Sequence, residues 1–361
     1  MQNRRISYKR IFGAALLLIL AIFLFDSLRR SAAKRGNNSS QNNLIVSTED
    51  QPAETTISED ISDEELPEDD SYQKAEIDEK QFRKITKSKG EMGVGELVLI
   101  NKDYSYKFQD ISSVLVKVVS NMQDRTYKLS YNTHEVQKAM MEPFNNMMKD
   151  FYQLYNSKDV TIVSSHVPYA DQNKLYQAPA NPEILASDNE MAAGYTEHHS
   201  GYAVDFKLVS DSGNISLFDG TGDYSWINEN CYKYGFIQRY PEGKENVTGV
   251  KANPAHFRYV GVPHSYIMHD NGFTLEEYLN DLKKYTFGYD KMEYSVFGYD
   301  YEIYYVPVEG ESTIVPVPVG ESYSVSGNNY DGFIVTVCRP SEEISSESPV
   351  TTAVTTAVVT Q

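Results

Sequence analysis

The stretch that decides the fold of this 361-residue chain runs Thr196-Glu197-His198-His199-Ser200-Gly201-Tyr202-Ala203-Val204-Asp205. A second stretch, further along the chain, reads Asn253-Pro254-Ala255-His256. Because Gly201 interrupts any helix between His198 and Asp205, we expect a loop that turns into a strand to bring these two side chains together. His256 begins a largely apolar run and would arrive from a neighbouring strand. The two stretches therefore predict one site assembled on a sheet.

Two imidazoles and one carboxylate form a ligand set that suits zinc among the common metals. Three such ligands leave a fourth coordination position for water, which distinguishes a catalytic zinc from a structural one. A histidine taken alone is more often an ordinary core or surface residue, so the context of the set decides its interpretation. The chain has no Cys-x-x-Cys pair, which excludes a cysteine zinc site, and Cys231 and Cys338 either form a disulfide or remain free thiols.

The amino terminus combines basic residues with an uncharged, mostly apolar run from Ile11 to Phe25. With its flanks the run reaches about 18 residues, the lower limit for a helix that spans a bilayer. No small-residue cleavage motif follows, because Arg29 and Arg30 come soon after the run. We expect residues 1–35 to form a basic flank and an uncleaved signal anchor. The protein would then lie in the cell membrane as a single-pass protein with an extracytoplasmic domain, an orientation that depends on the function argued below.

Acidic residues are concentrated in one part of the chain. Of the net charge of −18, most comes from the segment Glu49 to Glu79, which holds fourteen acids and one base, Lys74. Residues 36–91 are poor in aromatic residues and cannot bury a core, so we expect an acidic disordered linker there. The low isoelectric point therefore describes the linker and not a substrate. No basic stripe lies outside the membrane-flanking residues, so no nucleic-acid partner is expected.

Hydrophobic patterning predicts an α+β domain over residues 92–284, with a small antiparallel sheet and flanking helices around the candidate zinc site. The predicted strands cover Glu96–Ile100, Asp159–Ser164, Tyr202–Phe206 and His256–Val260, and the predicted helices cover His134–Tyr155, Tyr169–Tyr176, Ser225–Tyr234 and Thr274–Lys284. Residues 285–340 are rich in Tyr and Val, with Gly and Pro between, and predict a small all-β appendage. Residues 341–361 predict a disordered tail.

Several motifs occur in one order within residues 92–284, among them Gly194–Asp205, Tyr240–Glu245 and His256–Gly261. In this combination the chain resembles the VanY-type D-alanyl-D-alanine carboxypeptidases, which are zinc peptidases that remove the terminal D-Ala from peptidoglycan stem peptides. The resemblance implies Zn²⁺ as the cofactor. It also implies a peptidoglycan stem peptide with a D-Ala-D-Ala terminus as the partner.

The same resemblance implies a role for individual residues. His198, Asp205 and His256 correspond to the zinc ligands. Gln172 matches a substrate-binding position of the family, and Thr196 matches another if threonine replaces serine.

Three positions depart from the family pattern, two of them in one motif. Asn253 occupies the slot of the general-base glutamate, and Ala255 replaces the tryptophan of the same motif. An amide cannot take a proton from zinc-bound water and deliver it to a leaving amine at ordinary pH. Val167 occupies the slot of an arginine that supports the oxyanion. Its neighbour His166 would point to the opposite face of a strand-like segment and is not expected to replace that arginine.

Three hypotheses remain open from the sequence. The chain is a zinc-binding but catalytically impaired member of this family; or it is a working carboxypeptidase whose base comes from elsewhere, with Glu197 or His199 as the nearest candidates; or it is a non-catalytic cell-wall module in which the metal is dispensable. The first hypothesis follows most directly from Asn253 and Val167, because a missing base and a missing oxyanion donor leave little of the usual mechanism.

Overall fold

The computed structural model describes residues 78–177 and 191–341, which belong to one compact unit. The predicted signal anchor, the acidic run up to residue 77 and the tail from residue 342 lie outside the described residues. Within the two described ranges, no helix has both the length and the apolar character that a membrane span needs.

Strands and helices alternate irregularly along these ranges. The strands are β1 Phe82–Ser88, β2 Leu115–Lys117, β3 Lys128–Leu129, β4 Glu135–Gln137, β5 Val160–Ser164, β6 Ala203–Val209, β7 Ile215–Leu217, β8 Phe236–Tyr240, β9 Asn253–Tyr259, β10 Met292–Val296, β11 Tyr299–Pro307, β12 Ser312–Pro318, β13 Ser322–Gly327 and β14 Gly332–Pro340. The α-helices are α1 Val118–Asn121, α2 Lys138–Tyr155, α3 Tyr169–Gln177, α4 Ser225–Asn230, α5 Glu245–Thr248, α6 His264–Asn271 and α7 Leu275–Asp281.

A six-stranded sheet carries the candidate site. Its strands lie in the order β3-β5-β6-β9-β8, and β7 pairs with β6. All of its pairs are antiparallel except β3 with β5. Four consecutive residues are buried in each of the middle strands β6 and β9, which fixes their register because a shift by one residue would exchange their two faces. The predicted α+β class is confirmed.

Helix α2 packs one face on this sheet. Its apolar residues recur at helical spacing and join the main core cluster, namely Met140, Met141, Phe144, Met147, Met148 and Phe151. The helix predicted over His134–Tyr155 is confirmed, although it begins only at Lys138 because Glu135–Gln137 pair with β2 as a strand. It ends at Asn156, whose backbone is left-handed with φ +53°.

The predicted all-β appendage is also confirmed. Four antiparallel strands lie in the order β10-β11-β14-β13, and β12 pairs with β1. The prediction of a disordered linker over residues 36–91 is wrong for its last part, because β1 pairs with β12 from Phe82↔Pro318 to Ser88↔Ser312. Composition alone misses this strand because most of its side chains are exposed. Its few apolar residues pack on a core formed far along the chain, as Ile85 does.

The strand predicted over Glu96–Ile100 is not a strand. The segment is buried, but its backbone groups bond mainly to side chains and loops instead of to a neighbouring strand. Leu97 N–H donates to the Ser326 hydroxyl at 2.9 Å, and the carbonyl of Leu99 accepts from the Asn329 amide at 2.8 Å. Buried backbone groups need partners, and here the appendage supplies them.

Cys231 and Cys338 are both free thiols. Cys231 belongs to the core cluster beneath the central sheet. Burial raises the pKa of its thiol to about 12, so the thiol stays protonated and unreactive at ordinary pH.

Candidate metal centre

The register of the central sheet brings two of the predicted ligands together. Asp205 on β6 lies directly opposite His256 on β9. The carboxylate oxygen Oδ1 of Asp205 is 2.7 Å from Nδ1 of His256. Opposite side chains of an antiparallel pair lie close enough to bind one ion together, so the strand pairing itself places two of the three predicted ligands.

The third predicted ligand comes from a short 3₁₀ turn, Glu197–Ser200, that precedes β6. The Thr196 hydroxyl caps this turn by accepting the backbone N–H of His198 at 3.3 Å. Gly201 ends it with a left-handed backbone at φ +73°, and a Cβ there would lie 2.8 Å from the Leu115 side chain. The turn therefore needs glycine at this position. It directs Nε2 of His198 to Oδ2 of Asp205 at 2.9 Å.

His198, Asp205 and His256 offer one ligand atom each, and these atoms all lie within 4.8 Å of one another. All three residues are buried. Two imidazole nitrogens and a carboxylate that converge in this way fit zinc by their donor chemistry. The structure brings the three predicted ligands together, and no others had been predicted.

The protonation of the triad follows from its charges. Burial alone would raise the pKa of Asp205, but the imidazoles of His198 and His256 outweigh it and hold that pKa well below its usual range. Burial alone would lower the pKa of His256, but the carboxylates of Asp205 and Glu197 raise it to about 9. A metal ion bound by the triad would displace the proton that these carboxylates hold on His256, because a metal-ligating imidazole must be deprotonated.

Glu197, one candidate for an alternative base, is held in a buried ion-pair cluster. Its Oε1 lies 2.8 Å from Nε of Arg239 and 2.9 Å from a guanidinium nitrogen of Arg258, and its Oε2 lies 3.4 Å from Nε2 of His256. Burial would raise the pKa of Glu197, but the two arginines outweigh it and keep the carboxyl ionised far below its usual range. A carboxylate so strongly held in its charged form is a poor proton acceptor.

Arg239 and Arg258 have no role in the sequence-based prediction. Both side chains are fully buried, and Arg239 also makes a bidentate pair with Glu276 at 2.6 and 2.8 Å. Arginine is seldom buried without an ionic partner. An arginine between apolar residues of a buried strand is the pattern that could have indicated this cluster.

His199, the other candidate base, has both ring nitrogens engaged. Its Nδ1 donates to the carbonyl of Val167 at 2.6 Å, and its Nε2 accepts the backbone N–H of Gly194 at 2.9 Å. Burial lowers the pKa of His199 to about 4. The ring therefore ties the turn Glu197–Ser200, which we call the metal loop, to Val167 in the segment that follows β5. It has no free nitrogen for a substrate proton.

Asn253 and Val167, which depart from the family pattern at the base and oxyanion positions, lie in different segments of the chain. Asn253 is the first residue of β9 and is half-buried. Its side-chain oxygen accepts the N–H of Ala255 at 3.1 Å, so the amide folds back onto its own strand. Val167 donates its backbone N–H to the carbonyl of His198 at 3.3 Å, but its side chain carries no donor and no charge.

The predicted substrate-binding residues are both buried and have structural bonds. Gln172 on α3 donates its amide to the carbonyl of Met191 at 2.8 Å, and Thr196 caps the turn that carries His198. Both residues therefore position the loop before β6.

A cavity of about 420 Å³ lies beside the metal loop. Its wall combines aromatic rings with two carboxylates, and the residues with these groups are Tyr106, Phe108, Asp110, Glu135, His166, Tyr169 and His199. The Phe108 ring lies 4.8 Å from the His199 ring and 5.4 Å from the Tyr169 ring. Among the residues that line it in the described ranges there is no lysine or arginine. We call this cavity the aromatic groove.

Two imidazoles and a carboxylate that converge in this way are the ligand arrangement typical of zinc metallopeptidases. The family model described as "VanY: D-alanyl-D-alanine carboxypeptidase" matches residues 133–262. A D-alanyl-D-alanine carboxypeptidase of Enterococcus faecium is 35% identical over 244 residues, which cover 67% of this chain and 75% of that protein. The chain belongs to the VanY family of D-alanyl-D-alanine carboxypeptidases, which act in peptidoglycan metabolism.

A solved structure has the same fold. The vancomycin resistance D,D-dipeptidase VanXYg, in complex with a D-Ala-D-Ala phosphinate analog, aligns with a TM-score of 0.61 and 29% identity over 72% of this chain and 99% of that chain. A VanY variant from a VanB-type resistance cassette, in complex with Zn(II), is 25% identical over 51% of this chain and 99% of that chain, with a TM-score of 0.37. The resemblance predicted from the sequence motifs is confirmed.

Proposed function

We propose that this protein binds zinc at His198, Asp205 and His256 and recognises D-Ala-D-Ala-ended stem peptides, but hydrolyses them far more slowly than a complete carboxypeptidase. The observation that carries the proposal is the side chain of Asn253, which stands in the base position and is bonded to its own strand at Ala255. An amide has no basic lone pair at ordinary pH, so the proton transfer that a glutamate would perform has no acceptor there.

Zinc bound by these ligands would polarise a peptide carbonyl and lower the pKa of a bound water. The work left to the protein is to move the proton of that water and to stabilise the charge on the carbonyl oxygen. Glu197 cannot take the proton readily because Arg239 and Arg258 hold it ionised. His199 cannot take it because both of its ring nitrogens have backbone partners.

The oxyanion side of the site is also incomplete. The Val167 side chain supplies no positive charge, and its backbone N–H is already bonded to the His198 carbonyl. Loss of one oxyanion donor costs other enzymes about 10²–10³ in rate. Two losses in one site support a binding role more than a turnover role, although their effects need not multiply.

The aromatic groove is the place where we propose that the peptide binds. Phe108 and Tyr169 are half-exposed and give a flat apolar surface beside the metal loop. Asp110 and Glu135 give the groove a negative character, which would favour a peptide with a cationic side chain. The likeness to VanXYg, which was solved with a D-Ala-D-Ala phosphinate analog, supports a peptide end as the ligand.

We further propose that the apolar run Ile11–Phe25 anchors the chain in the cell membrane, with the zinc domain on the extracytoplasmic side. Peptidoglycan lies outside that membrane, so a protein that reads its stem peptides belongs there. Protease added to intact cells should remove the domain, and carbonate washing should leave the anchor in the membrane fraction. Release of the intact protein by carbonate would contradict the anchoring.

The binding function is tested by calorimetry on the zinc-loaded protein with a pentapeptide that ends in D-Ala-D-Ala. We expect binding by the wild type and a loss of about 2- to 13-fold on Phe108→Ala, since an aromatic contact contributes about 0.5–1.5 kcal/mol beyond its buried area. Tyr131→Ala is the matched control, because Tyr131 is an exposed aromatic residue that does not line the groove. No binding by the zinc-loaded wild type would refute the proposal.

A further inference from the structure

We propose that Glu197 is a positioning residue for the metal centre: it holds the proton of the His256 ring on Nε2, so that Nδ1 presents its lone pair to the metal. This inference rests on the proposed zinc function and extends it to a residue outside the ligand set. Glu197 does not itself belong to the convergent triad.

The geometry assigns one task to each nitrogen of His256. Nδ1 faces Asp205 at 2.7 Å, on the side where the three ligand atoms converge. Nε2 faces Oε2 of Glu197 at 3.4 Å. A neutral imidazole carries one N–H, and the hydrogen bond made by one nitrogen decides which nitrogen binds a metal. Asp205 is itself a proposed zinc ligand, so in the zinc-loaded protein Glu197 would be the carboxylate left to accept the ring N–H, at Nε2, and this favours coordination through Nδ1.

The two oxygens of Glu197 are divided between two roles. Oε1 takes both arginine contacts, at 2.8 Å to Arg239 and 2.9 Å to Arg258. Oε2 is left to face His256. The two arginines keep the carboxylate ionised in a fully buried place, where an unpaired carboxylate would be too costly to maintain. The cluster thus holds the negative charge of Glu197 beside the His256 ring, and the two arginines keep this carboxylate from accepting a proton.

Glu276 offers a matched comparison. It also pairs with Arg239, at 2.6 Å, but it makes no contact with His256 among the described hydrogen bonds and ion pairs. Glu197→Gln and Glu276→Gln each remove one carboxylate from the same arginine. Only the first removes the charge that faces the His256 ring.

The test measures zinc affinity by chelator competition in the wild type and in both variants, with circular dichroism as the check on folding. We expect Glu197→Gln to weaken zinc binding by about 10–100-fold, as the loss of such supporting contacts does elsewhere. Glu276→Gln should retain an affinity close to that of the wild type. Equal losses in both variants would overturn the inference, because the cluster would then act only on the fold.

A second measurement does not depend on the variants. Long-range ¹⁵N–¹H NMR of the zinc-loaded wild type reports which nitrogen of His256 carries the proton. A proton on Nε2 with zinc on Nδ1 is the expected result, and zinc on Nε2 would overturn the inference while the zinc function stands. A wild type that binds no zinc would refute the proposed function itself, so the two failures are distinguishable.

Discussion

Asp205 and His256 are direct cross-strand neighbours on β6 and β9, with Oδ1 and Nδ1 2.7 Å apart. Two of the three proposed ligands are therefore fixed by the register of a buried sheet and not by a loop. Rigid strands position a site more closely than loops do. Only His198 depends on a turn, and that turn is capped at Thr196 and ended at Gly201.

The first prediction concerns the metal. His198→Ala should lower the zinc content from about one ion per chain to near zero, because two remaining ligands rarely hold zinc. Elemental analysis of the protein, purified without chelators, measures it. His166→Ala is the control, since His166 is a nearby half-buried histidine in the groove wall. Zinc retained by His198→Ala at the level of His166→Ala would show that the metal is bound elsewhere.

The second prediction restores the missing groups. Asn253→Glu combined with Val167→Arg should raise the rate of D-Ala release at least about 10²-fold, since a general base contributes about 10²–10⁴. The assay follows D-Ala released from a D-Ala-D-Ala-ended pentapeptide. If the double variant folds and binds zinc but stays inert on varied stem peptides, our placement of the base and oxyanion positions is wrong.

The third prediction concerns acid stability. The ring of His264 on α6 is hydrogen-bonded to the Tyr278 hydroxyl at 2.7 Å and to the Thr336 hydroxyl on β14 at 3.0 Å, and burial lowers its pKa to about 3. Below about pH 6.5 this ring is protonated in the unfolded chain, whereas in the folded chain it stays neutral down to about pH 3. The free energy of unfolding should therefore fall as the pH falls from about 6.5 to about 3.

Urea unfolding of the wild type and of His264→Gln across this pH range isolates the effect, since other acid-sensitive groups are common to both. The wild-type curve should be steeper by up to about 1.4 kcal/mol per pH unit, the value for one proton. Parallel curves would show that His264 is not neutral in the folded protein.

The fourth prediction concerns the contact between Met92 and the appendage. A Cβ at Gly327 would lie 2.2 Å from the carbonyl oxygen of Met92. Gly327→Ala should lower the free energy of unfolding by about 1–3 kcal/mol, as overpacking of a tight contact does. Gly90→Ala is the control, because the nearest atom to its added Cβ is 3.9 Å away. Chemical denaturation compares them, and equal stabilities would contradict the described packing.

Local patterns predicted several of the helices and strands. The helical spacing of Met and Phe predicted α2, and β-branched or apolar runs predicted β5, β6 and β9. These predictions succeed because the spacing of apolar residues within each segment reflects which of its faces is buried. The ordered motifs around His198, Asp205 and His256 also predicted which residues converge.

Contacts between distant segments were not predictable in this way. β1 is held by β12, and the buried segment at Leu97 and Leu99 is held by side chains of the appendage. The cluster of Glu197 with Arg239 and Arg258 likewise joins separate strands. The sequence does not show whether a glutamate is buried in an ion pair or exposed. It therefore suggested Glu197 as a base, whereas in the fold Glu197 is a buried carboxylate paired with Arg239 and Arg258.

The central claim is that zinc is bound here without ordinary turnover. The most direct measurement incubates the purified full-length protein, with its zinc content determined, with a pentapeptide that ends in D-Ala-D-Ala, and follows D-Ala release. We predict about one zinc per chain. We also predict that D-Ala is released at least about 10²-fold more slowly than by a typical enzyme, whose kcat is about 10 s⁻¹. Release at typical enzymatic rates, abolished by His198→Ala, would contradict it.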